Sequence, residues 1–167
     1  MNKKIFSLIC AVSCSLIWGT AFVAQDMGMD YIGPYTFSAV RLLLGFFTLL
    51  PFFFIFEFKK VKETKLSFEK IFIYLFLLGF FLAGGNIFQQ VSLLYTDVAN
   101  SAVFTVLYVV IVPIIAYFLF SKKIHNSVWP SVLMCLVGGL FLSELGNLRV
   151  RFGDSLVVVG AFFWAFH

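Results

Sequence analysis

The sequence predicts an all-α integral membrane protein with five transmembrane helices and part of a sixth. Three observations carry that expectation. Of the 167 residues 62% are hydrophobic, 12% are charged and 24 are Phe, which leaves too little polar surface to cover a soluble globule. The apolar residues come in runs near the roughly 20 residues that a helix needs to cross a hydrocarbon core about 30 Å thick. The lysines sit in the short gaps between those runs, beside headgroups, so the net charge of +4 reads as topology and not as a nucleic-acid footprint.

The first run extends from about Ile5 to Ala24 and closes on Gln25-Asp26-Met27-Gly28-Met29-Asp30. Lys3 and Lys4 before an apolar stretch also suit a signal peptide, but the best cleavage candidate, Phe22-Val23-Ala24, puts a bulky Phe where a small residue is wanted. An uncleaved helix is expected. The second run opens at Gly33-Pro34, with proline where a helix start tolerates it, and continues to about Phe56. A basic segment from Lys59 to Lys65, with Lys70 beyond, leads to the third run, Ile71 to Leu94. After the turn Tyr95-Thr96-Asp97 comes the fourth run, Val98 to Phe120, ending at Ser121-Lys122-Lys123-Ile124-His125. The fifth spans Val128 to Leu142, followed by a mixed loop from Ser143 to Gly153. Asp154 and Ser155 are expected to cap a sixth helix that reaches His167. Cys10, Cys14 and Cys135 all fall inside apolar runs and read as small packing residues, not a disulfide framework.

Basic residues set the expected orientation. With a cytoplasmic N-terminus, Lys3, Lys4, Lys59, Lys60, Lys62, Lys65, Lys70, Lys122 and Lys123 lie on the cytoplasmic side of a plasma membrane, and Arg149 and Arg151 on the outer side. The acidic residues Asp26, Asp30, Asp97, Glu144 and Asp154 join the outer set. The chain is thus expected to be multi-pass.

Polar groups inside the spans are costly, so they are the candidate functional residues. Arg41 is the charge deepest in an apolar run. It can snorkel outward, bond a structural partner at the cavity edge, or touch a solute, and the sequence leaves these open. Asn86, Gln89 and Gln90 stand at i, i+3 and i+4 next to Gly84 and Gly85, on one helix face. Such a strip either joins helices or lines a cavity that hydrogen-bonds a solute. Ser101, Thr105 and Tyr108 repeat the pattern at i, i+4 and i+7, and Pro113 then removes a backbone donor, marking a hinge or gate. Trp18 and Gln25, seven apart, share a side of the first helix and are further cavity candidates. No phosphate loop, no His/Cys cluster at metal-ligand spacing and no intramembrane acidic pair occurs, so neither metal, cofactor nor enzymatic chemistry is expected. A multi-span membrane enzyme would need a titratable pair that the spans lack.

One internal echo stands out. Ser15-Leu16-Ile17-Trp18-Gly19 in the first helix is matched by Ala161-Phe162-Phe163-Trp164-Ala165 in the sixth. Five crossings per copy would insert the second copy upside down, the logic of inverted-repeat transporters. Leu16-Ile17-Trp18-Gly19-Thr20-Ala21-Phe22, Gly33-Pro34 followed by Arg41, the stretch from Asn86 to Ala116 with Pro113, and Gly153-Asp154-Ser155-Leu156 running to Phe163-Trp164-Ala165 resemble the drug/metabolite transporter superfamily, specifically its EamA-type repeat.

The resemblance implies a ten-helix carrier of two inverted five-helix repeats, moving amino acids, other small metabolites or drugs, often outward. On that basis residues 1–145 form the first repeat, and 146–167 the loop and truncated start of the second. A second repeat, or a second copy of the chain, would complete the pathway. Many relatives end the fourth helix in a Gly-Glu pair, where this chain has Ser121-Lys122-Lys123. The expected function is a secondary transporter of small organic solutes, present here as its N-terminal half. The competing expectation is a truncated membrane polypeptide without transport activity.

Overall fold

The computed structural model describes residues 3–63, 67–142 and 151–167. The expected boundary between repeats, with Glu144 and Arg149, lies outside the described residues, as does Lys65. Every regular element described is helical: α1 (Lys3–Met29), α2 (Pro34–Phe52), a π turn (Phe53–Glu57), α3 (Phe58–Glu63), α4 (Phe68–Ser92), α5 (Val98–Thr105), α6 (Tyr108–Phe120), α7 (Val128–Leu142) and α8 (Phe152–Phe166). Four continuous or near-continuous helical stretches are long and apolar enough to cross a membrane: Lys3–Met29, Pro34–Val61, Phe68–Ser92 and Val98–Phe120. The helices α7 and α8 are also apolar but, at 15 residues each in the described chain, shorter.

The burial pattern is inverted relative to a soluble protein. Among the described residues five hydrophobic side chains are buried against ten polar or charged ones, while most Phe, Leu and Ile residues of the spans are exposed. Lipid solvates an apolar exterior at no cost, so polar groups are what must be gathered inside. This is the organisation of a membrane protein.

Several element ends differ from expectation. The helix α1 runs five residues past Ala24 because Gln25 does not end it: its Nε2 donates back to Ala21 O at 3.1 Å, and the side chain is buried. Gly28 then lies against the Phe37 ring, bringing the end of α1 close to the start of α2. The second run does not stop at Phe56. Downstream of Pro51 the backbone widens into the π turn, with Phe58 N–H reaching Phe53 O, and helix resumes through the basic segment as α3. The N-cap of α8 is Arg151, not Asp154. Asp154 occupies the third helical position and accepts a hydrogen bond from Arg151 N–H at 2.8 Å.

The fourth run is broken, and the break falls at Val106-Leu107, a turn and more before Pro113. There the bonds tighten to i→i+3: Leu107 N–H to Phe104 O at 3.2 Å, Val109 N–H to Val106 O at 2.9 Å. A proline clashes with the carbonyl four residues earlier, so its distortion appears on the preceding turn. At the end of α6, Ser121 has φ 50°, the left-handed conformation that suits glycine.

The largest interface joins α4 to α8, and α8 also packs on α5 and α6. Its buried face is Gly153, Asp154, Val157, Gly160 and Ala161. Small residues allow the approach: a Cβ on Gly160 would lie 3.3 Å from Phe88 Cβ and 3.4 Å from Gly85 O. The segment expected to open a second repeat is thus packed against α4, α5 and α6.

Candidate functional site

A polar seam runs through the apolar bundle along α4. At about 100° per residue, positions 86, 89 and 90 span an arc of roughly 100° on a helix, wide enough to meet more than one neighbour. The three amides reach three different helices. Asn86 Oδ1 accepts from Arg41 Nη2 of α2, while its Nδ2 donates to Leu82 O at 2.9 Å. Gln89 Nε2 donates to Thr105 Oγ1 of α5 at 3.0 Å. Gln90 Nε2 donates to the backbone oxygen of Gln25 in α1 at 3.3 Å.

The α4–α5 contact is a short network. Thr105 Oγ1 in turn donates to Ser101 O at 2.8 Å, and Ser92 Oγ donates to Gln89 O at 2.6 Å with Ser101 Oγ 3.2 Å away. The structure therefore unites Gln89, Ser101 and Thr105 and adds Ser92. Tyr108 opens α6 beyond the break, half-buried and outside this network. Not every buried polar atom is matched. Gln25 Oε1, Gln90 Oε1, Ser38 Oγ and Trp164 Nε1 have no hydrogen-bond partner among the described residues.

Arg41 turns toward the bundle to reach Asn86. Besides Asn86, its guanidinium lies over the Phe37 ring at 5.8 Å, and the residue lines a groove of about 270 Å³ with Ile32, Phe37, Val40 and Leu44. A second groove, about 480 Å³ and apolar, lies between α5 and α7 along Ala102, Val103, Cys135 and Gly139. No group of three His, Cys, Asp or Glu side chains that could hold a metal occurs among the described residues.

Trp18 meets Trp164, with ring centroids 5.7 Å apart and planes tilted by 58°. Trp18 lies eleven residues before the end of α1 and Trp164 twelve after the start of α8. The neighbouring Gly85 of α4 gives Trp164 room, since a Cβ there would lie 3.0 Å from the indole.

At the α4–α5 turn a clasp holds the start of α8. Thr96 Oγ1 donates to Asp154 Oδ1 at 2.5 Å, and Arg151 Nη1 pairs with Asp97 Oδ2 at 2.7 Å. Gly153 presses on the same backbone: a Cβ would lie 2.7 Å from Ser92 O and 2.8 Å from Thr96 N. Sequence reasoning missed Thr96, Ser92 and the clasp role of Asp154. The available signal was an acidic residue in the first turn of an otherwise apolar helix.

Residues 5–144 match the EamA-like transporter family. The chain is 30% identical over 162 residues to an uncharacterized transporter of Archaeoglobus fulgidus, covering 97% of this chain and 47% of that protein. It is 27% identical over 157 residues to the uncharacterized transporter YoaV of Bacillus subtilis, covering 92% of this chain and 52% of that one. The chain spans about half the length of the curated relatives it matches. No solved structure matches it.

Proposed function

The chain belongs to the EamA-like transporter family, and on that premise we propose that it is the N-terminal half of a secondary transporter carrying a small organic solute outward across the plasma membrane. The N-terminus and the lysine-rich connections face the cytosol. Residues 1–145 make the first repeat and 146–167 open the second. A second repeat or a second copy of the chain completes the pathway. The protein is a carrier and not an enzyme.

One observation supports this reading above the others: the contact of Trp18 with Trp164 at matching distances from the ends of α1 and α8. Helices separated by five crossings run in opposite directions. Equivalent side chains of two inverted repeats then meet near the axis that relates them, at the depth where such carriers bind their cargo. Trp18, Asn86, Gln89, Gln90, Ser101, Thr105 and Tyr108 are the proposed solute-facing set. Arg41 shapes the cavity edge, and Pro113 loosens the helix that gates it.

In this reading the interhelical bonds of Gln89 and Thr105 hold one access state. Rocking exchanges them for bonds to solute, driven by an ion gradient, an exchanged solute or the solute gradient alone. Counterflow of a panel of labelled metabolites in proteoliposomes tests the proposal. A carrier accumulates at least one of them in exchange for its unlabelled form, with the rate reduced in Gln89→Ala. No exchange by any oligomer would mean a membrane polypeptide without transport activity.

A further inference from the structure

Arg41 holds a feature that packing does not explain. It sits seven residues inside α2, which puts it about 10 Å below the outer end of that helix at 1.5 Å per residue. Its partner Asn86 lies six residues inside the outer end of α4, at a similar depth. An arginine there normally pairs with a carboxylate or reaches up to the headgroups. Arg41 does neither. Its contacts are a neutral amide and a Phe ring. The ion pairs Lys60–Glu57 and Arg151–Asp97 involve other groups. A guanidinium offers five N–H donors in a planar fork, and only Nη2 is bonded within the described residues.

The surroundings define what would complete it. Phe37, Val40 and Leu44 form an apolar wall beside the guanidinium, in a groove of about 270 Å³. A cation with unused donors at one end and an apolar wall along the side complements an amphiphilic anion. We infer that the Arg41 groove is the subsite that receives the carboxylate of a small amphiphilic solute, with its apolar part against Phe37, Val40 and Leu44. The inference rests on the transporter reading and names the chemistry of its cargo. Asn86 and Phe37 are the positioning residues: the amide fixes one edge of the fork and the ring holds its plane, leaving the remaining donors for a charge-assisted, two-point contact. A lipid phosphate is the other source of an anion. The depth argues against it, because headgroup phosphates lie at the helix ends and not a third of the way down.

The test uses the full chain in phosphatidylcholine nanodiscs, with hexanoate as probe and hexanamide as its neutral isostere. The chain has three arginines, Arg41, Arg149 and Arg151, so side-chain ¹⁵N spectra are short, and Arg41→Gln assigns the signal by its loss. Hexanoate is expected to shift the Arg41 signal saturably and to bind at least about tenfold more tightly than hexanamide. Ligand-induced thermal stabilisation should be weaker in Arg41→Lys, which keeps the charge without the fork, and absent in Arg41→Gln. Equal responses to acid and amide, or no response to either, overturn the inference. If Arg41→Gln does not fold, the acid–amide comparison on the unaltered chain decides alone. Phosphatidylglycerol added to the nanodisc is expected to leave hexanoate binding intact. Displacement of hexanoate with a matching Arg41 shift would assign the site to lipid and also overturn the inference. Counterflow of a neutral solute without hexanoate binding would remove the subsite and leave the carrier standing; hexanoate binding without any counterflow would do the reverse.

Discussion

Substituting Gly153 by Ala probes the joint on which α8 depends. The added Cβ would lie 2.7 Å from Ser92 O and 2.8 Å from both Thr96 N and Thr96 Cβ. These are backbone and near-backbone atoms at the end of α4, where Thr96 N–H is itself bonded to Ser92 O at 3.0 Å, so no flexible side chain can yield. The start of α8 must move outward instead. Overpacking of this kind costs about 1–3 kcal/mol. The same shift stretches the buried Thr96–Asp154 bond, now 2.5 Å, whose loss adds about 1 kcal/mol. Removing a helical glycine returns up to about 1 kcal/mol. The net expectation is a destabilisation of about 1–3 kcal/mol. Reversible unfolding in mixed sodium dodecyl sulfate and dodecylmaltoside micelles, followed by far-ultraviolet circular dichroism, measures it. Gly19→Ala is the control, because a Cβ there meets nothing within 4 Å, and it should be neutral or stabilising by up to about 1 kcal/mol. A Gly153→Ala protein as stable as the unaltered chain would refute the claim that α8 is seated against the α4–α5 turn.

Three further outcomes follow from the seam and the helix ends. Thr105→Val leaves Gln89 Nε2 without its acceptor and Gln89→Leu removes the donor to Thr105 Oγ1, so a double-mutant cycle in the same micelles should give a coupling of about 1 kcal/mol, and additive effects would place the two side chains out of contact. Pro113→Ala supplies an N–H to Val109 O; amide exchange at Leu107 to Val110 should slow by about tenfold or more, and unchanged exchange would attribute the break to other contacts. Ser121→Gly relieves the left-handed strain at the end of α6 and should stabilise the chain by about 1 kcal/mol in the unfolding assay; a loss of stability would contradict the φ of 50°.

The course of the spans was legible because lipid demands it: a run of about 20 apolar residues has few uses other than crossing. The ends were less so. Gln25 and the residues after it look like a loop by polarity, yet Gln25 is buried against α4 and its Nε2 donates within its own helix. Pro113 announced a distortion, but the distortion lies where the preceding turn relaxes, which spacing alone does not locate. The strip of Asn86, Gln89 and Gln90 could be found from its periodicity, since polar groups in a span are conspicuous. Its division among α1, α2 and α5 could not, because helical spacing fixes a face and not its neighbours. Thr96 with Asp154 was invisible for the same reason: the two are 58 positions apart, and nothing local to either names the other. The Trp18 and Trp164 echo was visible in the sequence, and the two rings are in contact.

The most direct test of an inverted-repeat carrier half is the sidedness of the first residues of α1 and α8. Single cysteines replacing Lys4 or Arg151, in a chain whose Cys10, Cys14 and Cys135 are serine, are treated with a membrane-impermeant maleimide on intact cells. Position 151 is expected to react at once, and position 4 only after permeabilisation. Labelling of both from the same side would mean that α1 and α8 cross in the same direction, and no inverted pair of repeats could begin with them.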